Sequence, residues 1–316
     1  VGESDGTAVL MRYTLRLLTS QQFARASTLI CACDQIREEF WNCSRRRDIR
    51  WKKPITIGLW IGGDHTPNKN SSYEPKGAKQ YCDLLMNRSK GSIEHRNDYY
   101  NKFQVLTCPW CGASLVPLET TGGREGKNWG YRMDDHDRFY IKCVRPECPY
   151  ENRLPIQVVD EELYRDPPTL LFATVDKFAM LAWSKDVGKF FGMDSSNRAP
   201  ELIVQDELHL ISGPLGSIVG LYEAAIDSLC SSKGIRPKIV ASTATIRRAS
   251  DQCRHLYNRA VRQFPPSGLD ASDSFFAKEA DVRDRPGRLY VGVFPSGKTK
   301  AMLQTKVMST LLQYVH

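Results

Sequence analysis

No apolar run in this sequence approaches the roughly 20 residues that a helix needs to cross a bilayer, which argues against a helical membrane protein. The opening stretch, VGESDGTAVLMRYTL, has neither the basic start nor the cleavable apolar core of a secretory leader, and it lacks an initiator methionine. A chain processed or cut from something longer is therefore expected. There is no internal repeat, which excludes solenoid and propeller arrays. Acidic residues are the minority charge: 36 Asp and Glu face 44 Lys and Arg, a net of +8 that suits a polyanionic partner. What is present is globular. The 316 residues are 41% hydrophobic and 25% charged, about two domains by length and large enough to bury a core without disulfide staples. Ten cysteines without an export signal imply a reducing compartment, the cytoplasm, where clustered thiols are more often metal ligands than disulfides.

Residues 8–18, AVLMRYTLRLL, read as a buried strand. Phe23, Ala26, Leu29, Ile30 and Cys33 then recur at helical spacing, with Ser20 placed as the cap. Arg45, Arg46, Arg47, Arg50, Lys52 and Lys53 follow as a basic stretch that fits a solvated loop or phosphate contact equally well. A second strand, 55–63, closes on Gly62 and Gly63. Apolar runs at 169–181, 201–210 and 238–246 alternate with the helical LGSIVGLYEAAIDSLC, a pattern that predicts an α/β fold with a parallel sheet covered on both faces. The expected division is 1–103 and 161–262 as two parts of one α/β domain, 104–160 as an insert, 263–285 as a linker, and 286–316 as a further segment opening with the strand LYVGVF.

Leu202-Ile203-Val204 runs into Gln205-Asp206-Glu207-Leu208-His209, so two acids fall where a buried strand emerges at the carboxyl edge of the sheet, the edge that binds ligands in open α/β folds. There an Asp can hold Mg²⁺ and a neighbouring acid can orient or deprotonate an attacking water. Alternatively, both acids only favour the start of the next helix through its dipole. One helix later KIV runs into Ala241-Ser242-Thr243-Ala244-Thr245, small hydroxyl residues at another strand tip. The ordered pair is more specific than either string alone.

These strings resemble superfamily 2 helicases, whose motif II is D-E-x-H and whose motif III is S/T-A-T. The longer TLRLLTSQQFARA, LLFATVDKFAMLAW and LIVQDELHLISGPLGS are similar to the large DrmA-type helicases of the DISARM anti-phage system, a resemblance running from about residue 8 to 295. It implies a RecA-like first lobe, ATP and Mg²⁺ as cofactors, DNA as partner through sequence-independent phosphate contacts, and further defence proteins as partners. It implies that Asp206 coordinates Mg²⁺ through water, that Glu207 activates the hydrolytic water, and that His209 links the ATP site to Ser242, Thr243 and Thr245. Motif Ia would lie at Thr14, Arg16, Thr19 and Gln21, a Gly-Gly element at Gly62 and Gly63, and a later DNA-contacting turn at Thr174, Asp176 and Lys177. The alternative for each is a plain strand-to-helix cap.

Gly292-Val293-Phe294-Pro295-Ser296-Gly297-Lys298-Thr299 matches G-x-x-x-x-G-K-T in full. Its order is wrong for the helicase fold, where this loop precedes motif Ia; here it follows motif III, and LYVGV reads as the opening of a second RecA-like lobe. The working phosphate loop is expected upstream of Val1, and the isolated chain is expected to be a poor ATPase. Cys108-Pro109-Trp110-Cys111-Gly112 and Cys143 through Cys148 supply a C-x₂-C knuckle and a C-x₄-C pair, together a tetrahedral four-sulfur zinc site of structural type. The alternative is four separately buried thiols. Cys82 and His136 are the reserve ligands. Two other functions stay open: a non-catalytic zinc module that binds nucleic acid or protein, and a different phosphate-loop enzyme using Lys298.

Overall fold

The computed structural model describes residues 6–43, 53–73, 75–87, 101–116, 129–243, 249–266, 269–270, 272–273 and 275–314. The chain divides into two compact units, Val1–Val261 and Arg262–His316. In the first, β1 (Val9–Tyr13) leads to α1 (Arg16–Cys43), β2 (Ile57–Trp60) and α2 (Ala78–Asn87). A small hairpin follows, β3 (Tyr131–Met133) with β4 (Phe139–Ile141), then β5 (Ile156–Gln157), α3 (Asp160–Arg165) and β6 (Leu170–Thr174). Two 3₁₀ segments, Val175–Ala182 and Lys185–Phe191, connect to β7 (Leu202–Gln205), α4 (Gly213–Ser232), β8 (Lys238–Ala241) and α5 (Ala249–Tyr257).

Six strands form one parallel sheet in the order β5-β2-β6-β1-β7-β8, flanked by helices, as the alternating apolar runs predict. Side-chain alternation along β1 sorts the core into two layers. Tyr13 faces α1, stacking on Phe172 at 5.7 Å while Phe23 meets the same ring edge-on at 5.8 Å. Leu10 faces the other way, with Trp60, Leu171, Ala173, Ile203 and Ile226 of α4. Gly58 is fixed by close packing: a Cβ there would come within 2.4 Å of Leu163 and 2.6 Å of Pro168, so α3 lies against β2 only because the side chain is missing.

Several expected boundaries move. The first helix begins at Arg16, and Ser20 lies within it rather than capping it; its hydroxyl bonds Gln104 Oε1 at 3.4 Å. The sheet register ends at Tyr13 opposite Thr174, and nothing in RLLTSQQ opposes a helix, so the turn starts at once. β5 pairs with β2 inside the stretch read as an insert, so residues 156–157 belong to the main sheet. Conversely Phe103, read as lying outside that insert, stacks on Phe139 at 4.3 Å. In the second unit the segment 289–294 forms no strand, and the regular element is α6 (Lys300–Tyr314). Arg45, Arg46, Arg47, Arg50 and Lys52 lie outside the described residues. No helix among the described residues is long and apolar enough to cross a membrane.

Candidate functional site

Asp206 stands one residue beyond β7. Its amide donates to the Arg12 carbonyl of β1 at 2.9 Å, which holds the strand tip against the neighbouring strand. The next residue, Glu207, takes a left-handed conformation, φ 51°, which costs a non-glycine residue about 1–2 kcal/mol and turns the chain sharply off the sheet. In that turn the Asp206 carboxylate accepts the Glu207 amide at 3.0 Å. Strand β8 is in register with β7, Ala241 opposite Gln205, so Ser242 arrives beside Asp206. The Ser242 hydroxyl donates directly to Asp206 Oδ1. Backbone bonds lock the two tips: Ser242 N to Gln205 O at 2.9 Å and Leu208 N to Ser242 O at 3.0 Å.

Around this contact, Glu207 and His209 are each about one-third exposed, with Glu207 Oε2 at 3.2 Å from His209 Nδ1. Burial pushes the Tyr13 phenol up to about 12, with the Asp206 charge adding to it. The Asp206–Ser242 and Glu207–His209 pairs thus stand at neighbouring positions of the carboxyl edge. Thr243 follows Ser242 and is exposed, while Thr245 lies outside the described residues. Sequence reasoning missed Gln252 of α5, whose amide reaches the carbonyls of Leu208 at 3.1 Å and Ile211 at 2.6 Å. Gln252 thereby clamps the turn after Glu207, and no motif spacing marks it.

The residues read as nucleic-acid contacts divide by exposure. Gln21, Gly63 and Asp176 are exposed, Gly62 is half-buried, Thr14 is half-buried with its hydroxyl oxygen buried, and Arg16 opens α1. Thr19 and Thr174 are fully buried; the Thr19 hydroxyl turns back to Leu15 O at 2.9 Å, satisfying its own helix. Lys177 points inward, its ammonium 2.7 Å from Asp160 Oδ2 and 5.6 Å from the Trp60 ring centre. The structure thus does not place the Thr19, Thr174 and Lys177 side chains at the surface.

Cys108, Cys111, Cys143 and Cys148 come together, all four sulfurs within 4.8 Å of one another. The Cys111–Cys143 and Cys108–Cys148 separations are 3.5 and 3.9 Å. Sulfurs at about 2.3 Å from one tetrahedral zinc lie about 3.8 Å apart, whereas a disulfide needs about 2.05 Å, so the spacing is that of a metal cage. The knuckle closes as predicted: Cys108 N bonds Ala113 O at 2.8 Å and Gly112 N bonds Cys108 O at 2.9 Å, with Gly112 at φ 72°. Burial pushes Cys148 up to about 11 and raises Cys108. Cys111 is half-buried, which works upward, but the Ala113 amide and the neighbouring thiols hold it below the ordinary value. The four thiols form a site able to hold a metal ion. Cys82 is buried on α2, and His136 is exposed on the turn between β3 and β4; the cluster is complete without either.

In the second unit Gly297 has φ 67° and Lys298 N bonds Pro295 O at 3.2 Å before α6 begins. Lys298 is exposed there.

Along 98% of its length the chain is 33% identical to DISARM protein DrmA of Bacillus paralicheniformis (strain ATCC 9945a / NCIMB 11709 / CD-2). The chain is a relative of DISARM protein DrmA. It spans 29% of that DrmA protein. No protein-family profile matches the chain. Among solved structures, two crystal structures of the DUF1998 helicase MrfA, with and without DNA, are each 12% identical to it. They superpose with TM-scores of 0.30 and 0.29, covering 81% and 80% of this DrmA relative and 24% and 27% of the MrfA chains.

Proposed function

We propose that this chain is the part of an ATP-driven DNA helicase or translocase that carries motifs Ia to III of the first RecA-like lobe, working in anti-phage defence. The observation that carries the reading is the Ser242 hydroxyl bound to the Asp206 carboxylate at adjacent strand tips. Asp206 would hold Mg²⁺, which would supply charge neutralisation at the nucleotide phosphates. Glu207, beside it on a sharply turned backbone, orients and deprotonates the attacking water, and His209, 3.2 Å from Glu207, relays the state of that carboxylate to Ser242, Thr243 and Thr245. Gln21, the Gly62–Gly63 turn, Asp176 and the backbone at Thr14 and Arg16 line the path of the nucleic acid, holding its phosphates through backbone amides and exposed polar groups without reading sequence. Thr19, Thr174 and Lys177 support that path from beneath. The four cysteines hold structural zinc.

The outer edge of β8 has no partner strand among the described residues, and Val240 there is 45% exposed. A further parallel strand from outside these residues, bringing a phosphate-gripping loop beside Ser242, fits that edge. The residues from 286 onward belong to a second lobe.

The reading is tested in the full-length protein by DNA-stimulated ATP hydrolysis. Glu207→Gln is expected to lower turnover by about 100-fold or more while ATP still binds. Unchanged turnover in Glu207→Gln, together with loss in Lys298→Ala, would transfer the chemistry to the 292–299 loop and end the reading.

A further inference from the structure

The centre of the sheet carries a charge pair that stability alone does not explain. Arg12, in β1 between β6 and β7, is 1% exposed, and its Nη1 bonds the Glu223 carboxylate of α4, itself 5% exposed. A buried pair of this kind is commonly no more stable than apolar side chains of the same volume, because both ions are stripped of water. The pairing is also incomplete. Arg12 Nε and Nη2 have no hydrogen-bond partner, although the guanidinium lies 5.9 Å from the Phe178 ring centre, nor do Gln205 Oε1, beside Arg12 in register, and the Tyr257 hydroxyl of α5, which lies in the field of both charges. Each such group costs about 1–3 kcal/mol, so spare donors and spare acceptors sit together in one buried layer. A small shift of the sheet against its helices would let them exchange partners.

The same residues lie on elements next to Thr14, Asp206 and Ser242. β1 runs on to Thr14 and α1. The Arg12 carbonyl takes the Asp206 amide, and Gln205 Nε2 reaches that carbonyl at 3.5 Å and the Asp206 carbonyl at 2.9 Å. Glu223 stands on the helix that follows Asp206–His209, and Tyr257 on the helix that follows Ser242 and Thr243. We infer that Arg12 and Glu223, with Tyr257, are positioning residues that couple nucleic-acid contact at the segment after β1 to the geometry of the Asp206 and Ser242 tips. This inference rests on the function proposed above.

The test uses the full-length protein and compares ATP turnover with and without a DNA duplex or single strand. The double replacement Arg12→Met with Glu223→Leu fills the layer with apolar groups of similar volume. It is expected to melt within about 4 °C of wild type and to keep turnover without DNA, yet to lose about tenfold of the stimulation by DNA, the scale of an ordinary coupling between sites. Should the double variant not fold, Tyr257→Phe keeps the ring and removes only the hydroxyl; it is expected to keep its melting point and lose about threefold of the stimulation. Full stimulation in a folded variant overturns the coupling and leaves the proposed function standing. A wild-type protein that hydrolyses no ATP, with or without DNA, overturns both.

Discussion

At the scale of single residues, Asp160 shows how burial and charge compete. It opens α3 at 4% exposure, with Lys177 at 2.7 Å on one carboxylate oxygen and no partner on the other. Burial pushes this carboxyl up to about 6, against the pull of the Lys177 ammonium. The unfolded value is about 3.9, so between those two pH values the folded chain keeps a proton that the unfolded chain has released. Stability from this group is present below about pH 4 and is lost as pH rises towards 6, by about 3 kcal/mol in all. Urea midpoints measured from pH 4 to pH 7 should therefore fall more steeply in wild type than in Asp160→Asn, whose side chain does not titrate. Parallel pH profiles would show that folding leaves the Asp160 carboxyl unshifted.

At the scale of elements, Asn70 is one of several ties between the four-thiol module and the sheet, beside the Tyr150 hydroxyl on Cys31 O at 2.6 Å and the Leu154 amide on Ile141 O at 2.7 Å. Asn70 is 4% exposed; its amide nitrogen bonds Glu162 at 2.6 Å, its carbonyl oxygen accepts the Phe139 amide at 2.9 Å, and its own backbone amide bonds Glu161 at 2.8 Å. Hairpin β3–β4, helix α3 and the loop after Gly62–Gly63 thus share a joint. Cys111→Ser is expected to reduce bound zinc from one equivalent per chain to below about 0.1, since a structural site draws much of its folding energy from the metal. Amide exchange should then quicken across 105–154 and, through Asn70, across 62–77, while β6, β1 and β7 keep their protection. Exchange confined to the knuckle would remove Asn70 as the joint. The metal site was legible because ligand spacing is written directly in the chain, as were the parallel sheet and the strand tips at Asp206 and Ser242, where apolar runs end in acids and hydroxyls. Boundaries were less so: β1 stops at Tyr13 and β6 at Thr174 because their register ends there, a tertiary fact with no local residue signal. Thr19, Thr174 and Lys177 occupy exposed-looking motif positions, but whether a hydroxyl or an ammonium turns inward depends on Leu15 and Asp160, partners that the motif does not name.

At the scale of the whole molecule, the two units differ in how much they bury. Unit 1 contains all the buried hydrophobic residues among those described. In unit 2 the residues read as a second-lobe strand stay in water: Leu289 is 89% exposed, Tyr290 84% and Phe294 85%. Helix α6 likewise has no buried residue. A helix with no buried face gains little from packing, and in proteins most helical stability comes from packing. Apolar surface of this extent usually awaits a cover. Removing residues 262–316 from this 316-residue chain should leave its capacity to bind zinc unchanged and move the melting temperature of unit 1 by no more than about 2 °C. Protease added to the intact chain should cut first between Arg262 and Thr299, leaving a persistent fragment that ends near Val261, identified by mass. A shortened chain that precipitates or melts much earlier would mean that residues 1–261 do not fold as an independent unit, and the division at Val261 would have to be abandoned.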